Sequence, residues 1–194
     1  MQLILASTSA ARRAMFRAAG IEALAVASNV DEAALKAGFS GPPPALALAL
    51  AQAKAAAVAR THPGALVIGA DQLLVCDGKI FDKPTNLAEA ATHLRAFSGR
   101  SHELITAVCV MQGDTLLWTH IESPRLTIRP LTEAFIARYL AAEGEQILAC
   151  VGAYRLEGWG AQLFDRIEGD YFTILGLPLL ALLGFLRSCG ALAG

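Results

Sequence analysis

The chain reads as an α/β or α+β single domain, and three observations carry that reading. Short apolar runs of strand length, Leu3-Ala6 and Leu66-Ile68, alternate with longer helical patterns at Ala10-Ala19 and Leu87-Phe97. A meander of strand-like runs follows from His102 to Arg129. No internal repeat interrupts this order, and 194 residues suit one domain over residues 1–194, with length enough for a sizeable core in one or two lobes.

Each element has a local cause. Leu3-Ala6 is a buried strand that passes directly into Ser7-Thr8-Ser9, and the helix Ala10-Ala19 stops at Gly20. A loop runs through Asn29-Val30-Asp31-Glu32, and Gly38 to Pro44 is turn-rich. Pro44 can open the next helix, which runs to about Arg60 before His62-Pro63-Gly64 stops it. Leu66-Ile68 is a second strand, ending at Gly69-Ala70-Asp71. Leu73-Cys76 and Lys79-Phe81 flank Asp77-Gly78, the two-residue signal of a tight hairpin. Leu87 to Phe97 is an amphipathic helix closed by Ser98-Gly99. ELITAVCVM, TLLWTHI and RLTIRP read as strands, and Thr132 caps a helix with an apolar stripe at Phe135, Ile136, Tyr139 and Leu140. Gly152 to Gly169 is glycine-rich and reads as irregular, and a last helix spans about Pro178 to Leu186.

Composition excludes several functions. Lys plus Arg total 16 against 17 Asp plus Glu, a net charge of -1, so nothing generic attracts the chain to nucleic acid or an anionic membrane. Affinity for phosphate must come from cations arranged locally, and the only lysines are Lys36, Lys54, Lys79 and Lys83. The four cysteines, at 76, 109, 150 and 189, form no Cys-x-x-Cys pair and have no histidine at zinc spacing. They read as small buried side chains in a reducing compartment. Mean hydropathy is +0.47, but the most apolar stretch, Ile174 to Leu186, is too short to span a bilayer. The apolar start is also too short for a signal peptide, so a soluble cytoplasmic protein is expected.

Several residues could carry chemistry, each with an ordinary alternative. Ser7-Thr8-Ser9-Ala10-Ala11-Arg12-Arg13 places hydroxyls and guanidiniums at a helix start, where free N–H groups and the dipole favour an anion. The alternative is a serine N-cap with two surface arginines. Leu46, Leu50, Lys54 and Val58 recur at i+4, so Lys54 shares an apolar stripe; its ammonium either meets a carboxylate or anion or snorkels to water. Asp71, closing a strand, could be a general base or a metal ligand, or simply a turn residue. Lys83, fixed beside Pro84, could reach a ligand or stand solvated. Asp31 and Glu32 could help hold a hard cation or merely head a helix. Glu157, between Leu156 and Gly158-Trp159-Gly160, could point an acceptor into a glycine-walled cleft or face water, and Glu168-Gly169-Asp170 is an acidic turn open to both readings. There is no G-x-x-x-x-G-K-[ST] loop, no G-x-G-x-x-G after a strand and no G-x-S-x-G elbow.

The order of these signals is more specific than any one of them. LILASTSAARR, NVDE, AQAKA, VIGADQLLVCDGKIFDKP, FSGRSHELITAV and VGAYRLEGWGAQLFDRIEGDYFTILGLPL together resemble the Maf family over nearly the whole chain. That resemblance implies a Maf/ITPase-like α/β fold, an elongated mixed sheet flanked by helices in two lobes with a site in the cleft. It implies hydrolysis of a nucleoside triphosphate to monophosphate and pyrophosphate, a house-cleaning role against modified or non-standard nucleotides, with Mg²⁺ or Mn²⁺ as cofactor. By the same resemblance, Ser7, Ser9, Arg12 and Arg13 hold phosphates, and Lys54 and Lys83 neutralise the triphosphate. Glu32 acts at the metal, Asp71 activates water and binds metal, and a homodimer is expected.

Three positions discriminate bases in that family, and here they are Ala11, Gln72 and Glu157. Gln72 and Glu157 resemble the 7-methyl-GTP-cleaving subgroup, and Glu157 could accept from a guanine-type N1–H and amine together. Ala11 departs from that subgroup, which usually carries a tryptophan there, and Ala10 stands where a proline is usual; these departures bear on the substrate. The alternative of another class is a nucleotide-binding regulator of septum formation without significant turnover. The cations together with Asp71 and Glu32 argue against it, because binding alone requires no carboxylate to activate water.

Overall fold

The computed structural model describes residues 2–193. Among the described residues eight strands and seven α-helices follow in the order β1 (Leu3–Leu5), α1 (Ala10–Ala18), β2 (Leu24–Ala25), α2 (Glu32–Gly38), α3 (Pro43–Ala59), β3 (Leu66–Cys76), β4 (Lys79–Phe81), α4 (Leu87–Phe97), β5 (Ser101–Gln112), β6 (Thr115–Glu122), β7 (Arg125–Ile128), α5 (Glu133–Glu143), β8 (Phe164–Glu168), α6 (Tyr171–Ile174) and α7 (Leu179–Ser188). The sheet is mixed: β1 runs parallel to β2 and β3, whereas β4 on β3, β6 and β7 on β5, and β8 on β7 pair antiparallel. Its hydrogen-bonded order is β2-β1-β3-β5-β7-β8, with β4 added to β3 and β6 to β5. This is the α/β arrangement of sheet and flanking helices that the sequence predicts.

Contacts divide the chain into two compact units. The first comprises Met1–Gln72, Thr106–Glu122 and Tyr171–Gly194, and the second Leu73–Ile105 and Ser123–Asp170. In the first unit α1 and α7 cover one sheet face. Leu3, Leu5, Leu66, Ile68, Ala70, Val108 and Val110 meet Met15, Phe16, Leu182 and Leu186 there. Helix α3 packs on β3 from the other side. A Cβ added to Gly69 would lie 2.1 Å from the Ala51 carbonyl oxygen, so only glycine admits this approach.

Local chemistry explains most boundaries. Ser9 caps α1 by accepting from the Arg12 N–H, and Gly20 closes it at φ +68°. Asp77 and Gly78, at φ 49° and 74°, form the expected turn between β3 and β4. Two expectations need correction. Asp71 does not close a strand: β3 continues through Gly69-Ala70-Asp71-Gln72 to Cys76, because the glycine serves close packing rather than a turn. The stretch Gly152 to Gly169 is not wholly irregular either, since Phe164–Glu168 pairs antiparallel with β7 as β8. The cysteines also differ from the all-buried expectation: Cys76 and Cys109 are buried, Cys150 is partly so and Cys189 is exposed. Among the described residues, no helix is long and apolar enough to cross a membrane.

In the second unit an aromatic cluster gathers Phe97 of α4, His102 of β5, Phe164 of β8 and Tyr154. The rings of Phe97 and His102 lie 5.5 Å apart, and those of Tyr154 and Phe164 4.9 Å apart. His102 Nε2 and the Tyr154 hydroxyl are hydrogen-bonded at 2.7 Å. Burial holds the His102 imidazole down at a pKa of about 4 and pushes the Tyr154 phenol well up.

Candidate active site

In the first unit the predicted residues converge. Lys54, on the buried stripe of α3, is 8% exposed and reaches across to β3, where its Nζ lies 2.5 Å from Asp71 Oδ1. The same ammonium lies 2.7 Å from Glu32 Oε1 at the start of α2. The snorkelling alternative is therefore excluded: the lysine is an internal cation held between two carboxylates. Asp71 is 5% exposed, whereas the Glu32 side chain is 45% exposed, so one carboxylate is internal and the other reaches water. Asp31 plays the ordinary part and caps α2 through the Ala34 N–H.

Arg12 supplies the second internal cation. Its Nε donates to the Gly176 carbonyl at 2.7 Å, and its Nη1 to the Ala70 carbonyl at 3.0 Å and Ser7 Oγ at 3.4 Å. A guanidinium carries five N–H donors, and those on Nη2 are directed at none of these acceptors. Burial pushes the Arg12 pKa down, while the Asp71 and Glu32 charges push it back up. Ser7 Oγ also accepts from the Ser9 N–H at 3.2 Å, so Ser7 and Ser9 order the backbone ahead of α1. Arg13 is exposed and Ala11 half-buried on the first turn of that helix.

Gln72 follows Asp71 but faces the other side of the sheet, as the two-residue period of a strand requires. Its Nε2 donates to Thr106 Oγ1 at 2.9 Å and to the carbonyls of Thr173 and Ile174 at 3.0 and 3.2 Å. Carbonyl oxygens only accept, so this environment fixes which end of the amide is the NH₂. Thr106 in turn donates to the Thr173 carbonyl at 3.3 Å, and Thr173 Oγ1 donates to Glu122 at 2.6 Å. Sequence reasoning missed Thr106, Thr173 and Gly176. Only the glycine left a signal, in the GLPL block, and its φ of +106° is the reason a glycine stands there.

Lys83 and Glu157 belong to the second unit. Lys83 is exposed ahead of the buried Pro84. Glu157 is exposed too, and Arg155 Nε lies 3.6 Å from its carboxylate. Its loop is pinned by the buried Glu143, which accepts from the Trp159 N–H at 2.7 Å and from Arg155 at 3.4 Å. A side chain at Gly158 would collide with Glu143 Oε1, at 2.6 Å. Glu168 pairs with Arg166 at 2.8 Å.

Taken together, Arg12 and Lys54 balance Asp71 and Glu32, so the cluster in the first unit is electrically neutral. Among the described residues no group of three or more His, Cys, Asp or Glu is placed to hold a metal unaided. Two hard carboxylates nevertheless suit Mg²⁺, which commonly takes one or two of them and draws its other ligands from water and substrate phosphates.

Residues 2–189 match the Maf family, described as Maf-like protein. The nucleoside triphosphate pyrophosphatase of Granulibacter bethesdensis is 52% identical, over 99% of this chain and 99% of its own. The 7-methyl-GTP pyrophosphatase of Rhizobium johnstonii is 50% identical over 100% of this chain and 98% of its own. That of Rhizobium meliloti is 51% identical over 98% and 97%.

Proposed function

The chain belongs to the Maf family, and from that premise and the internal Lys54 cluster we propose that it is a nucleoside triphosphate pyrophosphatase with a house-cleaning role. The observation that carries the reading is one ammonium held by an internal Asp71 and a water-reaching Glu32, with the buried Arg12 tied to the Ala70 carbonyl next to Asp71. Relatives matched along their whole length bear names of this activity.

In the reaction, a water oxygen bonds to the α-phosphorus, the bond from that phosphorus to the bridging oxygen breaks, and pyrophosphate departs. Asp71 gives one oxygen to Lys54 and takes the water's proton on the other. Arg12 Nη2 and the backbone ahead of α1, shaped by Ser7 and Ser9, bind phosphate oxygens, with Arg13 at the exposed rim. Lys54 stabilises charge that grows on the leaving pyrophosphate. Asp71 and Glu32 would hold a divalent cation, Mg²⁺ or Mn²⁺, whose chemistry is to neutralise phosphate charge that the balanced protein cluster cannot. Ala11 leaves room for the base.

A second reading, 7-methyl-GTP as the substrate, is favoured by the names of the Rhizobium relatives and by Glu157. The expected homodimer draws support from Leu117 and Ile121, exposed on β6; sedimentation at micromolar concentration checks it. The central test supplies canonical and modified triphosphates with Mg²⁺ or Mn²⁺ and measures pyrophosphate release. Release that falls at least about a hundredfold in Asp71→Asn is expected for loss of a general base. No release from any triphosphate would overturn the proposal. Glu157→Gln should weaken purine substrates more than pyrimidines, and equal losses would remove Glu157 from base choice.

A further inference from the structure

We infer that Thr106 is a positioning residue that fixes the Gln72 amide with Oε1 outward, so that Gln72 meets the nucleotide only as an acceptor and favours bases carrying an N–H donor. This rests on the pyrophosphatase reading above. What surrounds the other end of the amide sets its direction. Gln72 Nε2 donates to Thr106 Oγ1 at 2.9 Å and to the carbonyls of Thr173 and Ile174 at 3.0 and 3.2 Å. A flipped amide would set an oxygen against both carbonyls, which only accept. Thr106 removes the remaining latitude. A hydroxyl can turn either way, but this one, buried on β5, gives its proton to the Thr173 carbonyl at 3.3 Å and presents a lone pair to Gln72. The turn carrying these acceptors is held in its own right. The Gly176 N–H donates to the Thr173 carbonyl at 2.9 Å, and the Thr173 hydroxyl to Glu122 Oε2 at 2.6 Å.

The amide oxygen has the opposite surroundings. Among the described residues no donor reaches it, and Gln72 is only half-buried. A Cβ at Gly176 would stand 3.8 Å from Gln72 Oε1 and 3.6 Å from Arg12 Nη2, so acceptor and guanidinium border the same glycine. A nucleotide with a phosphate on Nη2 brings its nucleoside beside Oε1. Phosphate oxygens are acceptors, so the donor comes from the ribose or the base. A ribose hydroxyl both donates and accepts, and either end of an amide would serve it. A base edge has a fixed pattern of donors and acceptors, so only for a base does clamping one orientation change which ligand fits.

The experiment measures kcat/KM for pyrophosphate release from GTP, ITP, ATP and purine riboside triphosphate, whose base has no N–H, and from the 2′- and 3′-deoxy forms of GTP. The proteins are wild type, Gln72→Leu, Thr106→Val, Thr106→Ser and the double variant Gln72→Leu/Thr106→Val, with Thr106→Ala as a second apolar variant should Thr106→Val misfold. For wild type, loss of one hydrogen bond should leave purine riboside triphosphate about tenfold poorer than the best of GTP, ITP and ATP. In Thr106→Val the amide can turn and that gap should shrink below about threefold, whereas Thr106→Ser should keep it. Gln72→Leu, which keeps the volume and loses the acceptor, should shrink the gap as far, and the double variant no further, because the two residues act as one unit. A wild type without the gap would overturn the inference. So would a Thr106→Val that slows every substrate by one factor with the gap intact, since Thr106 would then be structural only. A loss on the deoxy forms that vanishes in Gln72→Leu would assign Oε1 to the ribose and overturn it too. No release by the wild type from any triphosphate would instead overturn the pyrophosphatase reading, and this inference with it.

Discussion

Replacing Gly69 with alanine would test how closely the packing of α3 on β3 sets the chemistry. The new Cβ would lie 2.1 Å from the Ala51 carbonyl oxygen, 3.0 Å from the Ala55 nitrogen and 2.9 Å from the Ala55 Cβ. Two of these atoms are backbone and the third is fixed to it, so no rotamer change relieves the clash and the helix itself must move. Restoring contact distance needs a retreat of about 1 Å, an overpacking that costs about 2 kcal/mol. Ala51 and Ala55 bracket Lys54, so the retreat carries Lys54 with it and opens its 2.5 Å contact with Asp71. A misplacement of that size can cost about a hundredfold in turnover. With a urea slope of about 2 kcal/mol/M, the unfolding midpoint should fall by about 1 M. Gly64→Ala is the control, because a Cβ there meets nothing within 4 Å. If the two alanine variants unfold at the same urea concentration and release pyrophosphate equally fast, the packing argument is wrong.

Other outcomes follow from buried groups. His102 has a pKa of about 4 when folded against 6.5 when exposed, so between those values the unfolded chain takes up a proton that the folded chain refuses. Its contribution is intact above pH 6.5 and lost progressively toward pH 4, amounting to about 2 kcal/mol by pH 5. The urea midpoint should therefore drop more between pH 7.5 and 5 for wild type than for His102→Gln; equal drops would refute this. Lys54→Met leaves Asp71 and Glu32 without their counter-charge and should destabilise by roughly 2 kcal/mol, less than a fully buried pair because Glu32 reaches water. A midpoint unchanged from wild type would contradict that. In Arg12→Lys one nitrogen cannot reach the Gly176, Ala70 and Ser7 acceptors together, so kcat/KM should fall at least about tenfold. Wild-type kinetics would show the fork to be dispensable.

What could be read from the sequence was what side-chain identity encodes. Ser9 as a cap, Asp77-Gly78 as a turn and Lys54 on the Leu46-Leu50-Val58 stripe each follow from one residue type at one spacing, and each is present. The stripe could not decide between water and a carboxylate for Lys54, because that depends on β3 and α2 lying within reach of α3. Gly69-Ala70-Asp71 reads as a strand end because glycine usually punctuates. Here the glycine instead lets a helix backbone approach, a cause that exists only after the chain is folded. Gly152 to Gly169 hid β8 in the same way, since its pairing with β7 is long-range and its glycines dominate the local signal.

The least legible part of the site is its backbone. Arg12 and Gln72 are held largely by carbonyls of Ala70, Thr173, Ile174 and Gly176, which every residue type possesses. Identity enters only where geometry excludes alternatives, as it does for Gly176 at its positive φ. The strand period then explains why the GADQ stretch is a unit. Gly69 and Asp71 face α3 and set the Lys54 contact, while Ala70 and Gln72 face α1 and the α6 turn. Because the Ala70 carbonyl itself holds Arg12, four consecutive residues tie both internal cations to one strand. The internal carboxylate of Asp71 and the buried guanidinium of Arg12 are thereby fixed relative to each other by backbone geometry.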